Sequence, residues 1–79
     1  MKHGAYLLIN TDTGKERDIR ASISSRPYVT QCSVVSGLHD LICYIESDTV
    51  QGLKDAVFGV REVPGIVKTV TCISFNSTE

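Results

Sequence analysis

Apolar residues along this chain cluster into short dense runs separated by polar turns, and two longer stretches space them at helical intervals. Ala5-Tyr6-Leu7-Leu8-Ile9-Asn10 is the first dense run and predicts a strand. Thr11-Asp12-Thr13-Gly14 follows as a turn, and Thr13 with Glu16 three residues later has the spacing of a capping box. The helix expected from Gly14 to about Ser25 places Ile19 and Ile23 one turn apart, with Lys15, Glu16, Arg17, Asp18 and Arg20 mostly toward water. Pro27 ends it. Val29 to Ser36 and Leu41 to Glu46 are rich in β-branched and apolar residues and read as a hairpin with a four- or five-residue connection around Gly37. Asp48 and Gln51 form a second capping-box pattern ahead of Val50, Leu53, Val57 and Val60, the clearest helical spacing in the chain. Phe58 lies off that stripe, either as a partly covered flank or as a subunit contact. Pro64-Gly65 stops the helix, Ile66 to Phe75 is the last strand, and the polar residues from Asn76 onward read as a frayed tail.

The order is therefore β-α-β-β-α-β, with a faint repeat: each helix runs into a proline and then a strand, Arg26-Pro27-Tyr28-Val29 and Val63-Pro64-Gly65-Ile66. The fold class this predicts is α+β, ferredoxin-like, a single domain over residues 1–79 with an antiparallel four-stranded sheet and two helices on one face. The strands are apolar at nearly every position, whereas a strand with one wet face alternates. Leu7-Leu8-Ile9, Val34-Val35 and Leu41-Ile42 have no such alternation. The second face of the sheet thus needs a cover, and a second copy of the sheet is the economical one. A face-to-face dimer burying about 800 Å² per partner is an ordinary specific interface.

Composition sharpens this. A chain of 79 residues with 42% hydrophobic content carries more apolar material than a two-layer monomer hides with ease, since a domain this small buries only roughly 60% of its unfolded surface. The formal charge of −1, without a basic cluster, argues against direct nucleic-acid binding. No apolar run approaches the ~20 residues that span a bilayer, and no signal-peptide pattern opens the chain, so a cytoplasmic, membrane-free protein is expected. Cys32, Cys43 and Cys72 fit no metal or redox spacing and read as small buried hydrophobes with free thiols. No catalytic residue, metal or cofactor is expected.

The opening "AYLLIN" with "TGKE", the hairpin "SGLHDL", the helix "LKDAVFGV" and the run "VPGIVKTVT", in this order over residues 4 to 75, resemble the RAM domain, the ligand-sensing domain of Lrp/AsnC transcription regulators. The first strand begins at about residue 4, which leaves no place in this sequence for the helix-turn-helix domain those regulators carry, so the resemblance is to stand-alone RAM proteins. It implies dimers that assemble into higher oligomers and bind an amino acid or related small-molecule effector at subunit contacts; the partner expected is a full-length Lrp/AsnC regulator or an enzyme. In the family the loop between the second and third strands carries a glycine and an acidic residue that hold the effector's amino-acid head. These match Gly37 and Asp40, with Leu38 and His39 between them, and Thr69 and Thr71 match threonines at the start of the family's last strand. Gly37 lets a backbone approach a ligand closely, loop N–H groups can receive a carboxylate, and Asp40 can receive an ammonium. The same residues are also ordinary hairpin and strand formers, with Asp40 bonding only its own turn; His39 reads as loop surface. Tyr28 departs from the repeat, standing where Gly65 does, and puts the shape of the first helix-to-strand turn in question. Leu38-His39 makes an uncommon loop, so effector identity does not carry over.

Three other functions share the topology. A dimeric α+β barrel enzyme gathers His, Asn, Trp or several acids inside the barrel, and this chain has no Trp. An RRM-like sheet needs aromatic platforms and a basic surface; Tyr6 and Tyr44 supply the first but the charge does not supply the second. An ACT-like regulatory domain differs only in how subunits pair.

Overall fold

A computed structural model describes residues 2–75. Its order is β1 (His3–Thr11), α1 (Glu16–Ser24), β2 (Val29–Val34), β3 (Leu41–Ser47), α2 (Val50–Arg61) and β4 (Ile66–Ser74). The tail expected from Asn76 lies outside the described residues. The four strands form one sheet in the order β2-β3-β1-β4, every neighbouring pair antiparallel. The ferredoxin-like arrangement expected from the sequence is the one observed.

Alternation along the central strands decides which side of the sheet becomes core. Ala5, Leu7 and Ile9 of β1 are opposite Ile45, Cys43 and Leu41 of β3, and all six are buried. Ile19 and Ile23 of α1, Leu53, Ala56 and Val60 of α2, and Val63 complete the core on that side. The intervening positions, Tyr6, Leu8, Ile42 and Tyr44, point to the helix-free side. Tyr6 and Tyr44 are register partners there, their ring centroids 4.7 Å apart and tilted. The Tyr44 ring lies over Gly4, where a Cβ would collide with the phenol. This face stays partly open to solvent, with Tyr6 48% exposed and Val70 of β4, opposite Leu8, also exposed.

Both helices begin differently from their sequence patterns. Thr13 and Glu16 form no capping box: Gly14 takes a φ of +84°, Lys15 is the N-cap of α1, and no side chain caps it. The cause is tertiary. The Asp12 N–H is held by the Gly65 carbonyl, and the Asp12 carbonyl accepts the Lys15 N–H, so the chain completes a turn before it can coil. In α2 the cap is Thr49, whose hydroxyl accepts the Gly52 N–H at 2.9 Å, while Gln51 donates along the helix to Asp55. Phe58 is half exposed, with the Arg61 guanidinium 5.7 Å from its ring centre.

The two helix-to-strand turns are closed alike despite the Tyr28–Gly65 difference. Arg26 N–H bonds Ile23 O and Val29 N–H bonds Arg26 O; Val63 N–H bonds Val60 O and Ile66 N–H bonds Val63 O. The cysteine expectation holds in part: Cys32 and Cys43 are buried in the core, but their thiols are not free, and Cys72 is not buried. Cys32 and Cys43 are register partners on β2 and β3 with Cα atoms 4.0 Å apart, and their sulfurs are paired as a disulfide. Cys72 is a free thiol but exposed, because β4 presents it to the helix-free side at the sheet margin.

Candidate functional site

The connection between β2 and β3 spans residues 35–40, longer than expected, and it bonds to the end of β1. Its base is closed by Val35 N–H to Asp40 O at 2.9 Å. Asp40 N–H then bonds Ile9 O, and Asp40 Oδ2 accepts the Thr11 N–H, each at 2.8 Å. Asn10 donates through Nδ2 to Leu38 O at 2.9 Å, which makes its Oδ1 the acceptor for His39 Nδ1 at 3.2 Å. Four residues of the loop and three of β1 thus form one polar cluster at one end of the sheet.

Within it, Gly37 has a φ of +121° and open space where a Cβ would stand, a conformation that suits glycine and leaves its backbone approachable. Leu38 is 89% exposed and contributes its carbonyl, not its side chain, to the cluster. Asp40 is half-buried. Only its Oδ2 has a hydrogen bond among the described residues, so Oδ1 is open to an ammonium or hydroxyl donor. The Asp40 side chain bonds β1 across 29 residues rather than its own turn, which pre-positions the carboxylate.

The threonines are placed on the other side of β1. Thr69 is opposite Ile9, the residue whose carbonyl receives Asp40 N–H, so loop and threonine flank one β1 residue. Thr71 is opposite Leu7 and lines a groove beside α2. No hydrogen bond among the described residues joins either threonine to the loop within one protomer. Asn10 and Thr11 were not singled out from the sequence, although a dense apolar strand ending in two polar residues is the signal that marks them. Among the described residues no group of three or more His, Cys, Asp or Glu is arranged to hold a metal, and no helix is long and apolar enough to cross a membrane.

Comparison with known proteins gives the family. The model of the Lrp/AsnC ligand binding domain matches residues 4–79, and the chain belongs to that family. Comparison with curated proteins finds no match. Among solved structures, FFRP-DM1 is 34% identical with a TM-score of 0.88, the alignment covering 92% of this chain and 99% of that one. Hypothetical protein PHS023 from Pyrococcus horikoshii is also 34% identical, with a TM-score of 0.87 over 95% of this chain and 90% of that one. E. coli AsnC shares the fold at 16% identity and a TM-score of 0.85, this chain spanning 54% of its length.

Proposed function

We propose that this chain is a non-enzymatic effector-binding and assembly module in which protomers pair through the helix-free sheet face and an amino acid docks at the Gly37–Asp40 loop. The observation that carries the reading is the uncovered aromatic and aliphatic face of the sheet, with Tyr6, Leu8, Ile42, Tyr44 and Val70 side by side. A second sheet laid on it removes this surface from water, at roughly 25 cal/mol per Å² of apolar area.

The loop supports the ligand half of the reading. The effector's carboxylate meets the open backbone at Gly37, its ammonium meets Asp40 Oδ1, and Leu38 and His39 border the site. The hydroxyls of Thr69 and Thr71 complete it from a neighbouring protomer. A related structure, NMB0573 from Neisseria meningitidis, is described as an L-Met complex, and that protein has a TM-score of 0.82 to this chain at 14% identity. By linkage, an effector held between protomers favours the assembly that forms its site. The output is regulation of transcription or metabolism through a partner, a full-length Lrp/AsnC regulator recruited by the same surfaces, in the cytoplasm.

Thermal-shift and light-scattering measurements over the twenty amino acids test this. A rise in melting temperature together with a change of assembly for one side-chain class is the expected result. Unchanged melting and unchanged mass for all of them sinks the sensing role.

A further inference from the structure

Away from that loop, α2 and β4 leave a groove of about 540 Å³ on the helix-bearing side of the sheet. It exists because α2 packs mainly over β3 and β1 and less over β4, whose residues are mostly exposed. Gly4 and Leu53 line it, and Ile73 of β4 contributes a side chain that is half exposed. On the helix, Val50, Lys54, Val57 and Arg61 fall at intervals of four, three and four, a single stripe along the groove. The volume lies inside the range of small-ligand sites, and the walls are apolar as such sites require.

Charge selects the ligand. Lys54, Arg61 and His3 line the groove, and among the described residues no Asp or Glu does. The one ion pair among the described residues joins Lys2 and Asp48, so neither Lys54 nor Arg61 is neutralised by a carboxylate. Arg61 rests instead over the Phe58 ring, which also lines the groove. Cations without acids attract an anion. An α-amino acid is disfavoured here, because no carboxylate among the described lining residues receives its ammonium, in direct contrast to Asp40 at the loop. A phosphate or other small anion leaves the apolar walls unfilled.

We propose that the α2–β4 groove is a second ligand site, distinct from the hairpin loop although it shares Thr71 with the site proposed there, that takes a straight-chain aliphatic carboxylate of about eight to twelve carbons. The acyl chain lies along Val50, Leu53, Val57 and Ile73, and the carboxylate pairs with Lys54 or Arg61.

Titration of the isotope-labelled full chain with decanoate below its micelle concentration, followed by amide NMR and calorimetry, tests this. Saturable binding of one decanoate per protomer is expected, with shifts confined to α2, the start of β1 and β4. Decylamine and the double variant Lys54→Glu/Arg61→Glu each weaken binding at least tenfold. Thr71→Trp, which fills the groove from an exposed strand position, abolishes it, and Asp40→Asn leaves it unchanged. Wild-type shift mapping decides the case even if a variant fails to fold. Absence of saturable binding, equal affinity for decylamine, shifts centred on the loop, or loss of binding in Asp40→Asn overturns the proposal. So does binding only to phosphatidylglycerol vesicles, which makes the groove a membrane contact. A change of assembly mass in the groove variants without decanoate binding makes it a protein interface and likewise overturns it.

Discussion

The carboxylate of Asp40 accepts the backbone N–H of Thr11 at 2.8 Å, joining a loop to a strand end 29 residues away. The bond does structural work with no ligand present. Removing it leaves the Thr11 N–H short of an acceptor and frees the loop from β1. Asp40→Ala is expected to destabilise the ligand-free protein by about 1.5 kcal/mol, the low end for a bond to a charged group because the carboxylate is only half-buried. Asp40→Asn retains a carbonyl oxygen at the same place and costs less. Urea denaturation of the three proteins without effector measures the difference; equal midpoints would show that the loop is held by its other bonds.

The two glycines that open α1 and β4 separate backbone strain from crowding. Gly14 and Gly65 both have positive φ, at +84° and +96°. A Cβ at Gly14 meets nothing within 4 Å, whereas at Gly65 it comes to 2.8 Å from Ile19 Cδ1, a core side chain. Gly14→Ala therefore costs only the left-handed conformation, about 1 kcal/mol. Gly65→Ala adds displacement of Ile19 and is expected to cost at least ~1 kcal/mol more. Parallel thermal melts read the ranking, and a larger loss at Gly14 would contradict it.

These two positions also show what was legible beforehand. Pro64-Gly65 announces a turn because few other residues accept its geometry. The strand and helix order followed from periodicity alone, but the core face of α2 did so only in part: Leu53 and Val60 are buried, Val50 is exposed and Val57 partly buried beside the groove, and Ala56 takes a buried place that the spacing of larger residues concealed. The capping boxes misled because local spacing cannot register that Gly65 pins Asp12. Cys32 and Cys43 lie eleven residues apart, and only the β2–β3 register makes them partners. Cys72 was misplaced because an apolar run does not reveal whether its strand will be covered. The loop residues Gly37 to Asp40 were visible through family resemblance, but Asn10 and Thr11 join them only once β1 and β3 are aligned.

The exposed pair Tyr6 and Val70 gives a direct handle on assembly. Both point to the helix-free side, and neither contributes to the core beneath the helices. Tyr6→Glu combined with Val70→Lys puts charges where the proposed sheet-to-sheet contact is most apolar, and desolvating them is costly. The variant is expected to keep its circular dichroism while its self-association weakens at least a hundredfold in sedimentation experiments. Retention of the parent's assembly would move the interface to another surface.

Ile45 and Ile73 stand on either side of one β1 residue, both paired with Ala5 on the helix-bearing side of the sheet, yet their surroundings differ. Ile45 has no exposure and is enclosed by core; Ile73 is 49% exposed beside the α2–β4 groove. Truncation to alanine removes the same atoms at both. At Ile45 the loss includes a cavity that the rigid β1–β3 ladder cannot close, so about 2–5 kcal/mol is expected. That is a large fraction of the stability of a domain this small. At Ile73 solvent fills the space and the cost falls below ~1 kcal/mol. Chemical denaturation of both variants measures the contrast. If Ile73→Ala proves as damaging as Ile45→Ala, the groove is already occupied in the free protein, by another protomer or by another part of the chain.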